Sequence, residues 1–526
     1  MEPYSFTYLL VVGALIAFAD GFGIGANDVA NSFSTSVGSR SITFKQAACI
    51  AVFTEFLGAL LLGSNTSETI RGNIIKVDLF KEKPELLMLA MVCSLIGSST
   101  WVIFASSRGF PVSTTHSIVG AIIGVGVAAF GFDAVDWTYK GVSKIITSWF
   151  ISPILAGIVA SIIFLLTRYF VLRHKENSLK RGLIAIPIYF AFTIAINLFY
   201  LVFKGSPRFN LDKEDPRIVV PVVVAIALLF TVFSWAFYAK YLKRLIMDKE
   251  TGLRWYHVFV IPFIGPRYKT NEENTAEEGT NVNGKDNVVE KVAAENGTGN
   301  DNIIQVEDDE YVKKNIFERT YAAIGKLATR GINKEIADYK LDENQAIHDA
   351  ATKFDPDTER LYSFLQVLTA TFASFAHGSN DVANAVGPLA AIYAVYETGI
   401  IADVKSPVPI WILALGGIAI DFGLVFYGYH IMRALGNRIT YHTPSRGFAM
   451  ELAASLTVLT ASKLGIPVST THCITGATIG VGLCNGTYKA INLKLMGGIF
   501  FGWLITLPIT ATVSGTIFAF IANAPR

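Results

Sequence analysis

Gly25-Ala26-Asn27-Asp28-Val29-Ala30-Asn31 ends an apolar run, and Gly378-Ser379-Asn380-Asp381-Val382-Ala383-Asn384 matches it far downstream. A second polar string, Pro111-Val112-Ser113-Thr114-Thr115-His116, returns unchanged as Pro467-Val468-Ser469-Thr470-Thr471-His472. Copies of the first lie 353 residues apart and copies of the second 356, so the order and spacing inside each half are nearly the same. Polar side chains at membrane depth are costly: an Asp at the centre of a spanning helix costs about 3 kcal/mol on insertion scales. A duplicated polar element inside apolar sequence therefore marks the two halves of a solute pathway.

The surrounding sequence is that of a membrane protein. Apolar residues make up 52% of the 526 positions and charged residues 16%, which excludes an ordinary soluble enzyme and a disordered chain. A net charge of +2 gives no basis for nucleic-acid binding. Cys49, Cys93, Cys473 and Cys484 all fall in apolar stretches and read as small core residues, not as a disulfide or metal framework. A span needs ~20 mostly apolar residues. Candidates run at about 5–24, 44–64, 85–107, 111–131, 143–172, 182–203, 217–241, 361–377, 408–433, 448–464, 467–484 and 494–522, about twelve in all. The first carries Asp20 and has neither a basic leader nor a small-residue cleavage site, so it is expected to be a retained span.

Residues 243–357 break this pattern and divide the chain into membrane halves 1–242 and 358–526. Residues 268–310 are too polar to bury a core, so this part is expected to be disordered. Val312, Ile316, Ile324 and Leu327 fall at helical spacing, which fits a short amphipathic or surface helix. Basic residues gather after the fifth span (Arg168, Arg173, Lys175, Lys180, Arg181), the seventh (Lys240, Lys243, Arg244) and the ninth (Arg433, Arg438, Arg446). With twelve spans all three clusters share one side, which places them and the central block in the cytoplasm and both termini outside. The acceptor tripeptide at Asn65 then falls outside, and two others, at Asn296 and Asn485, fall inside. Seven spans separate the starts of the two copies. An odd number means that they enter from opposite faces, as in an inverted-topology repeat.

Each first string pairs glycines with helix-competing Asn and Asp, and is expected to unwind its helix where it lines a cavity. Oxygens of Asp28, Asn31, Asp381 and Asn384 suit a small hard cation such as Na⁺. The bland alternative is a polar kink that only packs helices. Each second string reads as a helix start, with Pro early, Ser or Thr as cap and a Gly-rich run after it (Gly120, Gly124, Gly126; Gly476, Gly480, Gly482). Helix N-termini attract anions. Two of them, with Ser113, Thr114, Thr115, Ser469, Thr470 and Thr471 and helped by Asn27 and Asn380, would enclose a tetrahedral oxyanion. Neither string contains Lys or Arg, so a dianion needs co-bound cations, and coupling follows as an electrostatic requirement. Some of these hydroxyls are expected only to cap or back-bond.

His116 and His472 are expected to hydrogen-bond backbone. A Ser–His hydrolase built on Ser113 or Ser469 lacks an acid in fixed relation and a nucleophile elbow, so the chain is not read as an enzyme. Glu55 and Glu451 lie in apolar sequence and are candidates for ion binding or gating, with Asp421 a weaker case.

These residues resemble the inorganic phosphate transporter (PiT) family, and within it the fungal-type sodium–phosphate symporters. The likeness covers about 5–242 and 358–526, and Ser379 in place of the usual Ala is the one departure. The resemblance implies an all-α polytopic fold of about twelve spans in two inverted repeats with broken or re-entrant helices. It further implies Na⁺-driven uptake of inorganic phosphate at the plasma membrane, transport roles for Glu55 and Glu451, dimers in the lipid, and no cofactor beyond Na⁺ as coupling ion. Proton coupling, sulfate as substrate, or a phosphate sensor that barely transports remain the alternatives.

Overall fold

The computed structural model describes residues 2–203, 215–266, 345–401, 407–435 and 438–524. The expectations for 268–310, for the segment around Val312 to Leu327 and for Asn296 lie outside the described residues. Every described regular element is helical, and only one isolated bridge, Ile75 with Val135, pairs extended backbone.

The helices in order are α1 (Thr7–Asn27), α2 (Val29–Gly38), α3 (Phe44–Gly72), α4 (Pro84–Ser107), α5 (Thr114–Phe130), α6 (Val142–Thr167), α7 (Ser178–Phe203) and α8 (Pro216–Phe233). After the central segment come α9 (Pro356–Leu361), α10 (Ser363–Thr398), α11 (Ile410–Tyr427), α12 (Tyr429–Leu435), α13 (Pro444–Lys463), α14 (Thr470–Leu483) and α15 (Leu493–Ala522). Each of the twelve apolar segments falls on one of these helices. Eight helices among the described residues are long and apolar enough to cross a membrane; α5, at 17 residues, is shorter. The outward faces of α6 and α15 carry Phe150, Ile154, Ile158, Phe500 and Leu504, an apolar surface suited to lipid.

Two compact units are present. The first joins residues 1–230 with 329–526, so both membrane halves build one body. The second, residues 231–328, holds the helical turns Ser234–Tyr238, Ala239–Leu242 and Lys243–Met247. Its Arg244 makes a two-pronged pair with Glu250 at 2.7 Å and caps the carbonyls of Ile261 and Ile264.

In the first unit the halves interleave. α3 packs on α10 while α11 packs on α1; α5 packs on α15 while α14 packs on α6. Glycines permit these approaches. A Cβ on Gly124 would stand 2.1 Å from the Ala511 carbonyl, and one on Gly480 2.3 Å from that of Gly157. Close packing of small residues is how apolar helices associate without a hydrophobic drive between them.

Four expectations are corrected. The second copy of the first string does not unwind its helix, and the first copy interrupts its helix only at Asp28, between α1 and α2. Asn380 and Asp381 lie inside the continuous α10, and at Asp28 the backbone still donates to the Ile24 carbonyl at 2.8 Å. The glycines of both copies serve contact: a Cβ on Gly25 would meet the Ile420 carbonyl at 1.8 Å, and one on Gly378 the Glu55 carbonyl at 2.3 Å. Arg446 is not a charge at the membrane edge. It is fully buried, donates to Thr352 O (2.6 Å) and Asn485 Oδ1 (3.0 Å), and lies against the Phe164, Phe354 and Tyr441 rings. Asn485 is thereby engaged, and Asn65-Thr66-Ser67 sits inside α3 with Thr66 and Ser67 buried, so neither tripeptide bears on sidedness. Cys49 is exposed on α3, unlike the buried Cys93 and Cys473; all four cysteines are free thiols.

Gly378→Ala is expected to lower stability by about 1–3 kcal/mol, as overpacking does. Gly497→Ala, where a Cβ meets nothing within 4 Å, should be near neutral. Thermal melts of the detergent-purified variants check both.

Candidate functional site

The chain breaks come at the second strings. Residues 111–113 and 467–469 are outside helices, and α5 and α14 begin at Thr114 and Thr470. Ser113 Oγ accepts from His116 N (3.2 Å) and Ser469 Oγ from His472 N (3.3 Å), so both serines cap, as N-cap residues do. A capping oxygen used as acceptor leaves its own O–H uncommitted.

Around these two turns the halves meet by matching contacts. Thr114 Oγ1 donates to Asp28 Oδ2 at 2.6 Å, and Thr470 Oγ1 to Asp381 Oδ2 at 2.7 Å. The next residues reach across. Thr115 Oγ1 donates to Val468 O (3.2 Å) and Thr471 Oγ1 to Val112 O (3.4 Å). Asn31 Nδ2 donates to Thr471 Oγ1 (2.9 Å), and Asn384 Nδ2 to Thr115 Oγ1 (3.3 Å) and Thr114 Oγ1 (3.2 Å). Asp28 Oδ1, at 3.0 Å, is the nearer acceptor for the single Thr471 hydroxyl proton. All of these side chains are buried.

The Asn pair of each first string divides its work. Asn27 is committed: Nδ2 donates to Ser106 Oγ and Phe110 O, and Oδ1 accepts from Val112 N. It fastens the turn to α1 and is a positioning residue. Asn380 Nδ2 donates to Val468 O (2.8 Å) and Asp381 Oδ1 (2.5 Å). Its Oδ1, with Asn31 Oδ1 and Asn384 Oδ1, is buried without a hydrogen-bond donor. Three orphaned amide oxygens beside two carboxylates are what a hard cation would satisfy.

The sequence reading missed His377. Its Nδ1 hydrogen-bonds Glu55 Oε2 at 2.6 Å, and its Nε2 lies 2.8 Å from Asp381 Oδ2 as an ion-pair contact without hydrogen-bond geometry. Ligand atoms of Asp28, His377 and Asp381 lie within 4.8 Å of one another. Ser374 Oγ also donates to Glu55. The available signal was spacing, since His377 is four residues before Asp381 and so one turn along the same helix face.

Glu451 stands apart from this cluster. Its carboxylate accepts from Thr35, from Ser36 Oγ (2.6 Å), from Thr369 Oγ1 (2.8 Å) and from Gln366 Nε2 (3.4 Å), a nest of neutral donors where α2, α10 and α13 meet. Asp421 is buried on α11, with one oxygen unpartnered. His116 and His472 meet edge to face, with ring centroids 4.6 Å apart. Their Nδ1 atoms face the Trp503 and Trp149 carbonyls, which is the expected backbone role.

Three comparisons bear on this arrangement. The profile of the phosphate transporter family (PHO4) matches residues 24–514. The phosphate-repressible phosphate permease pho-4 of Neurospora crassa is 37% identical over all of this chain and 99% of its own. Sodium-dependent phosphate transporter 1 of Mus musculus is 32% identical, covering 98% of this chain and 95% of its own. A solved structure described as the sodium-dependent phosphate transporter superposes with a TM-score of 0.68 at 30% identity, over 98% of this chain and 100% of that one.

Breaking one side of the Glu55–His377 pair strands a buried charge. His377→Gln is expected to cost about 3–5 kcal/mol, and Glu55→Gln with His377→Gln less than the sum of the singles. Melts of the three variants in Na⁺-free buffer read the coupling; strict additivity would show that the pair does not interact.

Proposed function

This chain belongs to the phosphate transporter family, and we propose that it is a symporter that draws inorganic phosphate across the plasma membrane with Na⁺. The observation that carries this reading is the crossed threonine–asparagine network around two carboxylates, with three amide oxygens left over. Asp28, Asp381, Asn31 and Asn384 hold the cations. Hydroxyls of Ser113, Thr114, Thr115, Ser469, Thr470 and Thr471, and the Asn380 Nδ2 once a cation draws Asp381 from it, take the phosphate oxygens at the N-termini of α5 and α14. Asn27 positions the turn that presents them.

The order of events follows from charge. With His377 cationic, Glu55, Asp28 and Asp381 leave two negative charges uncompensated, and neither string supplies Lys or Arg. A phosphate dianion entering first would meet repulsion in a low dielectric. Cations that bind first offset that charge and draw Asp28 and Asp381 away from Thr114 and Thr470, whose hydroxyls then turn to the anion. Coupling is thus an electrostatic condition for substrate entry, and no separate linkage is needed.

The crossed pairings support two inverted-topology repeats, 1–242 and 358–526, with α4–α5 and α13–α14 as the re-entrant hairpins among about twelve membrane segments. Such repeats rock about a fixed midplane site. Residues 243–357 form the cytoplasmic connection and both termini face outward. Glu55 acts through His377 on the Asp381 side of the site, and Glu451 gates where α2 meets α13. The apolar outer faces sit in lipid and leave room for a homodimer.

Proteoliposomes carrying an inward Na⁺ gradient should accumulate ³²P-phosphate, with weak competition by sulfate and little uptake under a proton gradient alone. Asp28→Asn or Asp381→Asn should abolish Na⁺-dependent uptake. Uptake at native Na⁺ affinity in both variants would refute the ligand roles. Uptake driven equally by protons would refute Na⁺ as the coupling ion.

A further inference from the structure

Asp20 lies on α1, eight residues before Asp28, so the two are separated by about 12 Å along the helix. It is 1% exposed, and both carboxylate oxygens lack a hydrogen-bond donor. No charged side chain is set against it among the described residues, and Ser98 of α4 lies beside it. The contact follows the parallel register of α1 and α4, in which Gly23 lies against Val102 and Asn27 bonds Ser106.

Ser98 behaves unlike the other serines of its helix. Ser94, Ser99 and Ser106 each donate to a carbonyl one turn back, the usual course for a hydroxyl in an apolar helix. The buried Ser98 hydroxyl makes no such bond and none to Asp20. The Asp20 carboxylate and the Ser98 hydroxyl are therefore neighbouring hard oxygens that are both orphaned in the interior.

An isolated carboxylate in that setting is strongly unfavourable unless something neutralises it. One negative charge with a hydroxyl oxygen matches one monovalent cation; a divalent ion would call for more carboxylates. The site has no twin, because the residue 353 positions on is Ala373. It is thus separate from the duplicated machinery at Asp28 and Asp381.

We propose that Asp20 and Ser98 form a further Na⁺ site two helical turns from the Asp28 cluster. A cation there would raise the local potential along α1 and favour the anion's arrival without touching it. The proposal rests on the Na⁺-coupled reading above, but its test does not require transport.

Thermal melting of the purified full chain is followed against Na⁺ concentration, with choline as replacement and phosphate absent, at two pH values. The native protein should gain stability with a steep Na⁺ dependence. Asp20→Asn and Ser98→Ala should each raise the half-maximal Na⁺ concentration, Asp20→Asn by about tenfold, and flatten the curve. In Na⁺-free medium Asp20→Asn should melt no lower than the native chain, since it removes an unpaired charge. Curves that superimpose on the native one would overturn the proposal. So would an Asp20→Asn effect that tracks pH and not Na⁺, which would make the occupant a proton. Should Asp20→Asn fail to fold, Ser98→Ala alone decides by the same shift. Failure of phosphate uptake in native protein would refute the transport reading and leave this curve interpretable.

Discussion

Two carboxylates held at the meeting of the halves, with no Lys or Arg from either string to neutralise them, set the terms for the rest of the fold. Asp28 and Asp381 are tolerable in the interior because threonines donate to each one from a helix start. Those starts stay in place because each turn is gripped from the other half, through Thr115 on Val468, Thr471 on Val112 and the two asparagine amides. The glycine-lined crossings of α5 on α15 and of α14 on α6 bring the starts close enough to do this. Solubility in lipid, helix packing and substrate chemistry are thus one arrangement seen at three scales.

The two halves resemble each other in contact pattern but not in charge. Gly378 crosses the backbone of Glu55, and its counterpart Gly25 crosses that of Ile420. The residue 353 positions before His377 is Ile24. Where one crossing between the halves places a buried His–Glu pair, the matching crossing places two buried isoleucines. Glu451 shows the same lopsidedness, since its 356-residue counterpart is the buried Leu95. A duplicated scaffold whose matching crossings carry different charges is electrically asymmetric, which a device cycling between two states can use.

Much of this was legible in the sequence because repetition is a strong signal. The duplicated strings located the site, and apolar run length located every long helix. Capping grammar at Ser113 and Ser469 told where α5 and α14 begin. What was not legible required knowledge of neighbours. Glycine beside Asn and Asp reads equally as a helix break or a close crossing; the approach of Glu55 makes Gly378 a crossing in an unbroken helix, while Gly25 crosses Ile420 just before the break at Asp28. Asn27 and Asn380 look equivalent on paper, yet one amide is spent on its turn and the other keeps an oxygen free. Arg446 looked like a membrane-edge charge until its aromatic and carbonyl partners were seen. His377 was within reach through its spacing from Asp381, but its value comes from Glu55, which lies 322 residues away in sequence.

The central claim is that residues from both halves build one binding site. A double-mutant cycle on Asn31→Ala and Thr471→Ala, 440 residues apart but bonded at 2.9 Å, tests it most directly through ³²P-phosphate affinity of the purified protein in saturating Na⁺. Shared construction predicts that the double variant departs from the sum of the singles by about 1 kcal/mol or more. Additivity within about 0.5 kcal/mol, as for distant independent positions, would contradict it.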